Sequence, residues 1–498
     1  MDERQRLSKS KYLAGRQCLK RLWLSCYEPG LGPPPEPARL AMLENGAEVG
    51  RRAQALFPGG VLVTDDASVH DQAVAKTWAL VRNPMVPAIF EAAFEHGGVR
   101  IRVDVLERLD DGTWGLREVK SGTHVKDVHL DDVAIQYHVL EGVGLHVASA
   151  EVIHVDSTYV RGDGAIDWRR FFARRDVTLE VAARLPQVPV SLRAMHDGLA
   201  LARAPVIEPS PHCRTPYDCE FWGHCTRDKP TDWVVHLPRL QTGRLEALRA
   251  AGIERITEIP EDFPLLALQA RIRNVLSSGR PFMASELEPA LAGCGPPAVY
   301  LDFETMSSAV PLYAGTRPYE RIPFQWSLHR VDARGERSHR AFLADGRGNP
   351  RRAFAGSLVA ELRGETTPVV VYSPFEAGVL GELARALPDL AGELTTLQTR
   401  LRDLHAVVRA HVYHPGFGFS FSLKAVTPAL VPGFGYVDLE GIVDGSQASS
   451  AFARIAAGAC TREEEAELRR ALLAYCERDT LALVELHRAL ARCAVDCR

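Results

Sequence analysis

Val99-Arg100-Ile101-Arg102-Val103-Asp104-Val105, then Asp110-Asp111-Gly112, then Trp114-Gly115-Leu116-Arg117-Glu118-Val119-Lys120: the reading of the first half of the chain turns on this stretch. Apolar Val99, Ile101, Val103 and Val105 alternate with Arg100, Arg102 and Asp104, which predicts a strand with one buried and one wetter face. Asp-Asp-Gly supplies a hairpin turn, and Trp114 to Lys120 is the returning strand. Side chains alternate along a strand, so Glu118 and Lys120 emerge on one face, beside the strand that presents Asp104. Two carboxylates and an ammonium then converge. On its own, Asp...Glu-x-Lys reads more simply as an ordinary i,i+2 ion pair on a surface hairpin. Set in a wider site, the same group suits metal-assisted phosphodiester hydrolysis: the acids hold Mg2+ or Mn2+, and the lysine positions a water or offsets negative charge.

Working outward, a basic segment holding Cys18 leads to a helical pattern over Ala38–Phe57, stopped by Pro58-Gly59-Gly60. Helical spacing returns from Asp131 to Leu140 and ends near Gly142. Cys213, Cys219 and Cys225, with five residues between each and the next, close this unit. Three thiolates leave one ligand missing, and Cys18 lies at the far end of the same unit among bases that favour a thiolate. Four Cys suit zinc or an iron-sulfur cluster; the two-residue gaps of zinc knuckles are absent, so spacing leaves both open. Cys26, Cys294, Cys460, Cys476, Cys493 and Cys497 show no ligand spacing and read as core or surface thiols.

Residues 230–297 look helical and Arg-rich. Leu245-Leu248-Gly252-Ile253-Ile256 resembles half of a helix-hairpin-helix whose second Gly is missing, so a linker bundle is the better description. After Pro296-Pro297, Ala298-Val299-Tyr300-Leu301 opens a second unit, with strands expected near 324–330 and 368–372. Asp302 and Glu304 share one face of its first strand. Two like charges at the edge of a core are tolerable when a divalent cation sits between them. At the other end, Thr461 and Glu464 form a capping box that starts a helix to Ala491, on which Leu468, Leu472, Tyr475, Asp479 and Leu483 make one stripe. Asp479 interrupts an apolar face, and a salt bridge to an Arg would account for it as well as a metal would. Aromatics mixed with Arg over 311–325 suit base stacking or plain core packing. Lys424 suits a phosphate contact or a helix cap.

The bulk numbers set the frame. A length of 498 residues favours two or three domains, and 46% hydrophobic with 24% charged residues reads as globular. Net charge is only -4, so any phosphate-binding surface has to be local, and residues 1–25 do carry seven bases against two acids. Ten cysteines are too few for a disulfide scaffold in a chain this long. The N-terminus is charged, and no apolar run reaches the roughly 18 residues a membrane span needs, so a cytoplasmic location without a membrane is expected.

Together, Ile89-Phe90-Glu91-Ala92, Arg102-Val103-Asp104, Glu118-Val119-Lys120 and Gln136-Tyr137 resemble the RecB-type PD-(D/E)XK nucleases. The resemblance implies a catalytic core of Asp104, Glu118 and Lys120, with Gln136 lining the site from the next helix. Many relatives carry a His four residues after a Gly on an early helix; here Gly46 is followed by Gly50, and Glu91 is the substitute ligand. Iron-sulfur nucleases of that superfamily use one N-terminal Cys and a C-terminal trio, which favours 4Fe-4S over zinc for Cys18, Cys213, Cys219 and Cys225. Asp302-x-Glu304, Tyr372-Ser373-Pro374-Phe375-Glu376, Ser422-Leu423-Lys424 and Tyr475-x3-Asp479 resemble the DEDDy exonucleases of RNase H-like fold. That implies two-metal hydrolysis from a 3' end, with Asp302 bridging both ions, Glu304, Glu376 and Asp479 completing their shells, and Tyr475 orienting water. Glu376 stands where the third acid is usually Asp, and Asp403 is a spare candidate. The whole chain resembles a bacterial family, without an assigned pathway, that fuses the two modules. The expectation is an α/β protein: residues 1–230 a PD-(D/E)XK domain stapled by four Cys, 231–297 a helical linker, and 298–498 an RNase H-like domain. It is expected to act on nucleic acid, with DNA favoured over RNA. The rival expectation is a nucleic-acid-binding protein with one or both sites degenerate and the Cys cluster kept as scaffold.

Overall fold

The computed structural model describes residues 6–35, 37–64, 69–436, 439 and 441–496, so Cys497 lies outside the described residues. The chain is mixed α/β and separates into two compact units, 1–229 with 308–320, and 230–307 with 321–498. Among the described residues no helix is long and apolar enough to cross a membrane.

The first unit is built on a seven-stranded sheet. Its strands are β1 (Leu7–Ser8), β2 (Val61–Leu62), β3 (Ala88–His96), β4 (Val99–Arg108), β5 (Trp114–Lys120), β6 (Val147–Val155) and β7 (Phe172–Asp176), paired in the order β2-β3-β4-β5-β6-β7, with β1 against β4. The expected alternation holds on β4, where Val99, Ile101, Val103 and Val105 are buried and Arg100, Arg102 and Asp104 are half-buried. Gly112, at φ 80°, makes the turn into β5 that Asp-Asp-Gly predicts. β4 and β5 are antiparallel, β5 and β6 parallel, and the crossover between the last two carries a helix, Asp127–Gly142. Its buried face, Leu130, Val133, Ala134, Val139 and Leu140, packs with Phe94, Ile101, Leu116 and Val152 into one core. Three further helices matter below: Lys9–Gln17, Leu19–Tyr27 and Pro37–Ala53. In chain order these are α1, α2, α3, and the crossover helix is α4.

Segment 308–320 was read as part of the second unit and instead belongs to the first. Ala309 is buried among Val49, Phe57, Phe90 and Val105, Arg161 donates to the carbonyls of Pro311 and Leu312, and Tyr319 donates to Ser121 O at 2.5 Å. A contact of that kind leaves no periodic signal in the sequence.

The second unit has a five-stranded sheet of β8 (Ala298–Met306), β9 (Ile322–Val331), β10 (Arg337–Leu343), β11 (Val369–Val371) and β12 (Leu401–Asp403), in the order β10-β9-β8-β11-β12. The first three are antiparallel; β8-β11 and β11-β12 are parallel. Val299, Leu301 and Phe303 on β8 join Phe354, Leu358, Val379, Leu380 and Leu383 in the core under one sheet face. The functional helices are α5 (Phe375–Ala386), α6 (Leu404–His411), α7 (Leu423–Leu430) and α8 (Arg462–Asp496). The capping box at the start of α8 is present, Thr461 N on Glu464 Oε2 at 2.8 Å and Glu464 N on Thr461 Oγ1 at 3.2 Å. Residues 231–297 lie in this unit and include helices Thr242–Ala250 and Ala267–Ser278.

Candidate active sites

Antiparallel pairing of β4 with β5 brings Asp104 beside Glu118: Asp104 Oδ2 accepts from Val119 N at 2.7 Å. From the same face of β5, Lys120 Nζ donates to Glu118 Oε1 at 2.7 Å and to Asp132 Oδ2 at 2.6 Å. Gln136, one turn after Asp132 on α4, donates to Glu118 Oε2 at 2.7 Å and Asp132 Oδ1 at 3.1 Å. Asp104, Glu118, Lys120 and Gln136 are therefore together, as the resemblance implies. Glu91 stands opposite Asp104 in the β3–β4 register, with φ 54° in the middle of a strand. A non-glycine residue in that conformation costs about 1–2 kcal/mol, which the flanking pairs must offset. Glu91, Asp104, Glu118 and Lys120 line a cavity of about 810 Å³, whose opposite wall includes Gly46, Gly50 and Arg51 of α3. A Cβ at Gly46 or Gly50 would meet nothing within 4 Å, so the place of the relatives' histidine is open space.

Lys9 and Asp132 were missed from the sequence. Lys9 Nζ lies 3.1 and 3.2 Å from the two oxygens of Glu118 and 3.9 Å from Asp104 and Asp132. Asp132 sits four residues before Gln136, a helical spacing that could have flagged it; Lys9 arrives from 109 residues away and carried no such signal. Burial pushes Asp104 up to about 7, with the Glu118 charge adding to it. For Glu118 burial acts in the same direction, but Lys120 and Lys9 outweigh it and hold the carboxylate well below its usual range. Burial also raises Glu91 and Asp132. Four acids, Glu91, Asp104, Glu118 and Asp132, outnumber the cations beside them, Lys9, Lys120 and Arg102, a deficit that favours a bound cation.

The second site lies on the sheet face under α8. Asp302 and Glu304 on β8, with the thiol of Cys476, have donor atoms all within 4.8 Å of one another. Among the described residues they are the one such group of three; Glu91, Asp104 and Glu118 are not drawn so close. Cys476, read as an ordinary thiol, is fully buried and donates to Asp302 Oδ2 at 3.3 Å. Burial and the surrounding carboxylates raise its pKa well above normal, so it serves Asp302 as a neutral thiol.

Asp479 and Tyr475 share the buried stripe of α8, and Glu376 is buried at the second position of α5. Burial raises Asp302 far above the usual carboxylate range, with Asp479, Glu304 and Glu376 adding like charge. Glu304 and Glu376 are each pushed up to about 8, burial again leading. Burial raises Asp479 too, although Tyr436, Lys424 and Tyr475 oppose it. Like charge from Asp479, Glu304 and Glu376 thus converges on Asp302, while Lys424 offsets part of it at Glu304 and Asp479. Lys424 donates to Tyr475 OH at 3.1 Å and to the Val443 carbonyl, and so holds the tyrosine. Asp403 caps α6 through His405 N and Ala406 N, leaving Glu376 as the better third acid. The donor set is mostly hard oxygen, suited to Mg2+ or Mn2+.

The four cysteines meet at one end of the first unit. Cys18 sits at the junction of α1 and α2, Cys213 is buried in the turn Pro211–Arg214, Cys219 precedes the short helix Trp222–Thr226 and Cys225 lies within it. Burial raises the Cys213 thiol, with Cys18 and Cys225 adding like charge; burial likewise takes Cys219 up to about 11, with Cys213 a minor contributor. Trp23, Leu24 and Phe221 pack around them. None of the four is in a disulfide.

A family model described as "Domain of unknown function (DUF2779)" matches residues 299–422, a stretch that holds Asp302, Glu304 and Glu376 and ends before Lys424, Tyr475 and Asp479. No curated protein matches the chain.

Proposed function

We propose that the protein is a metal-dependent nuclease with two separate sites, a PD-(D/E)XK site in the first unit and a DEDDy-type 3'-5' exonuclease site in the second, acting on nucleic acid with DNA favoured. The observation that carries this reading is the buried quartet Asp302, Glu304, Glu376 and Asp479, whose mutual repulsion and desolvation are relieved by divalent cations. Two features support the fold assignments. The strand order β10-β9-β8-β11-β12, three antiparallel then two parallel, is the order an RNase H-like sheet has, with Asp302 and Glu304 on its central strand, Glu376 on α5 and Asp479 on the last helix. In the first unit, β3-β4-β5 followed by a helical crossover to a parallel β6 is the core expected of PD-(D/E)XK enzymes.

Bound divalent ions would polarise the scissile phosphate and lower the pKa of an attacking water. The chain's own residues do the rest. Lys120 is placed to balance charge on the phosphate side of Glu118, Gln136 fixes the orientation of that carboxylate, and Tyr475, held by Lys424, presents its hydroxyl beside Asp479. The cysteines are a structural staple. Mutual charge effects among Cys18, Cys213, Cys219 and Cys225 support one shared site, and the resemblance to iron-sulfur nucleases favours a 4Fe-4S cluster over zinc there.

A second reading, a nucleic-acid-binding protein with a degenerate first site, is favoured by one observation: the wall at Gly50 offers no ligand to the cavity. End-labelled single- and double-stranded DNA and RNA, incubated with Mg2+ or Mn2+, separate the two. Loss of one product class in Lys120→Ala and of another in Asp302→Ala supports two active sites. Products unchanged in both variants sink the enzymatic reading, and binding without cleavage supports the second.

A further inference from the structure

We propose that Lys9 is a positioning residue of the first site, a second built-in cation that spans both oxygens of Glu118, and that helix α1 makes its placement depend on the cysteine cluster. The inference rests on the reading of that site as metal-dependent.

Lys9 is the first residue of α1, and its ammonium spans both oxygens of Glu118 while standing 3.9 Å from Asp104 and Asp132. It does not line the cavity, whereas Lys120 does. The two lysines share Glu118 Oε1: Lys120 reaches it from the cavity lining, and Lys9 spans both oxygens of the carboxylate. α1 is short and well defined. Ser8 caps it by accepting from Lys11 N, and nine residues later it ends at Cys18. A helix of that length spans about 13 Å as a stiff rod. Its far end is fixed to the cysteine segment: Gln17 Nε2 donates to His212 O at 2.8 Å and Tyr217 O at 2.7 Å, on either side of Cys213, and Arg21 bridges to Glu220 at 2.7 Å beside Cys219. Its last turn is held further by Arg16, which donates to Ser191 and Asp131. One rigid element therefore connects Cys18 at one end to the carboxylates at the other, and a cluster that holds Cys18 also fixes where Lys9 reaches.

The consequence is a signature that simple destabilisation cannot mimic. An ammonium on both Glu118 oxygens repels an incoming divalent ion, so removing it raises metal affinity. The same removal leaves Glu118 without its brace, so cleavage falls. The test uses the full chain carrying Asp302→Ala, which silences the second site, and reads Mn2+ uptake by the magnetic resonance of the free ion alongside cutting of end-labelled DNA. Lys9→Met is expected to bind Mn2+ about ten-fold more tightly yet cut at least ten-fold more slowly, and Lys9→Arg to cut within about three-fold of the parent. Cys18→Ser is expected to slow cutting in the parent and to add little once Lys9 is Met, because both changes act through one rod. Unchanged Mn2+ affinity and cutting in Lys9→Met overturns the proposal, as does a fall in both, or full additivity with Cys18→Ser. A parent that binds no Mn2+ at the first site overturns the metal-dependent reading and takes this inference with it.

Discussion

The two carboxylate sites solve the same electrostatic problem in opposite ways. In the first, Lys9 and Lys120 are built in, and Glu118 is charged and fully hydrogen-bonded with no metal present. In the second, Asp479, Glu304 and Glu376 add like charge to buried Asp302, and a single ammonium, Lys424, hydrogen-bonded to Tyr475, offsets part of it at Glu304 and Asp479. The lesson is that buried carboxylates balanced by built-in ammoniums stay charged, whereas buried carboxylates with little cationic company are pushed toward their protonated form.

The largest effect is expected at the second site. Asp302→Ala removes the acid that faces all three others, and end-trimming of labelled DNA should fall by about 10^4-fold with first-site products unchanged. Equal loss of both product classes would erase the distinction between the sites. Cys213→Ser is next: if a cluster ties residue 18 to residue 213, losing it removes up to roughly 5 kcal/mol of cross-link stabilisation and the brown colour of an iron-sulfur protein, measurable by denaturant unfolding and visible absorption. A colourless parent protein containing zinc would correct the cofactor.

A smaller effect sharpens the comparison by its sign. Glu304 and Glu376, near 8 in the fold and about 4.3 when unfolded, hold protons the unfolded chain has released, so metal-free stability of the second unit falls as pH rises from about 4 to 8. Glu118, held low, contributes stability that is present above about pH 4 and is lost in acid. Thermal unfolding should show the second unit's transition dropping by about 5 °C between pH 5.5 and 8 without metal, and saturating Mn2+ should flatten that slope. A slope that ignores Mn2+ would mean the acids bind no ion. Smallest is Gly50→His, placed in open space on the cavity wall, which should raise first-site cutting about three-fold by restoring a ligand; no change would mean Glu91 already serves.

Much of this was legible in the sequence, for local reasons. Alternation placed Asp104 and the hairpin placed Glu118 and Lys120 beside it; helical spacing put Tyr475 and Asp479 on one stripe, and the capping box marked where α8 begins. What escaped were partners delivered by tertiary packing. Lys9 sits in a basic segment whose composition was noticed without its destination, Cys476 looked like any core thiol until α8 lay over β8, and segment 308–320 crosses to the other unit with no periodicity to announce it. Asp132 is the intermediate case, visible only once Gln136 is taken as a site residue and its helical neighbour one turn back is asked the same question.

The account stands on acids gathered to hold divalent ions. Its most direct test is Mn2+ uptake by the full-length protein, parent against Asp302→Ala, followed through the magnetic resonance of the free ion at pH 8. The account predicts that the parent takes up Mn2+ at the second site and that the variant loses that uptake, with affinity falling by at least about 100-fold. Identical isotherms for the two proteins would contradict it.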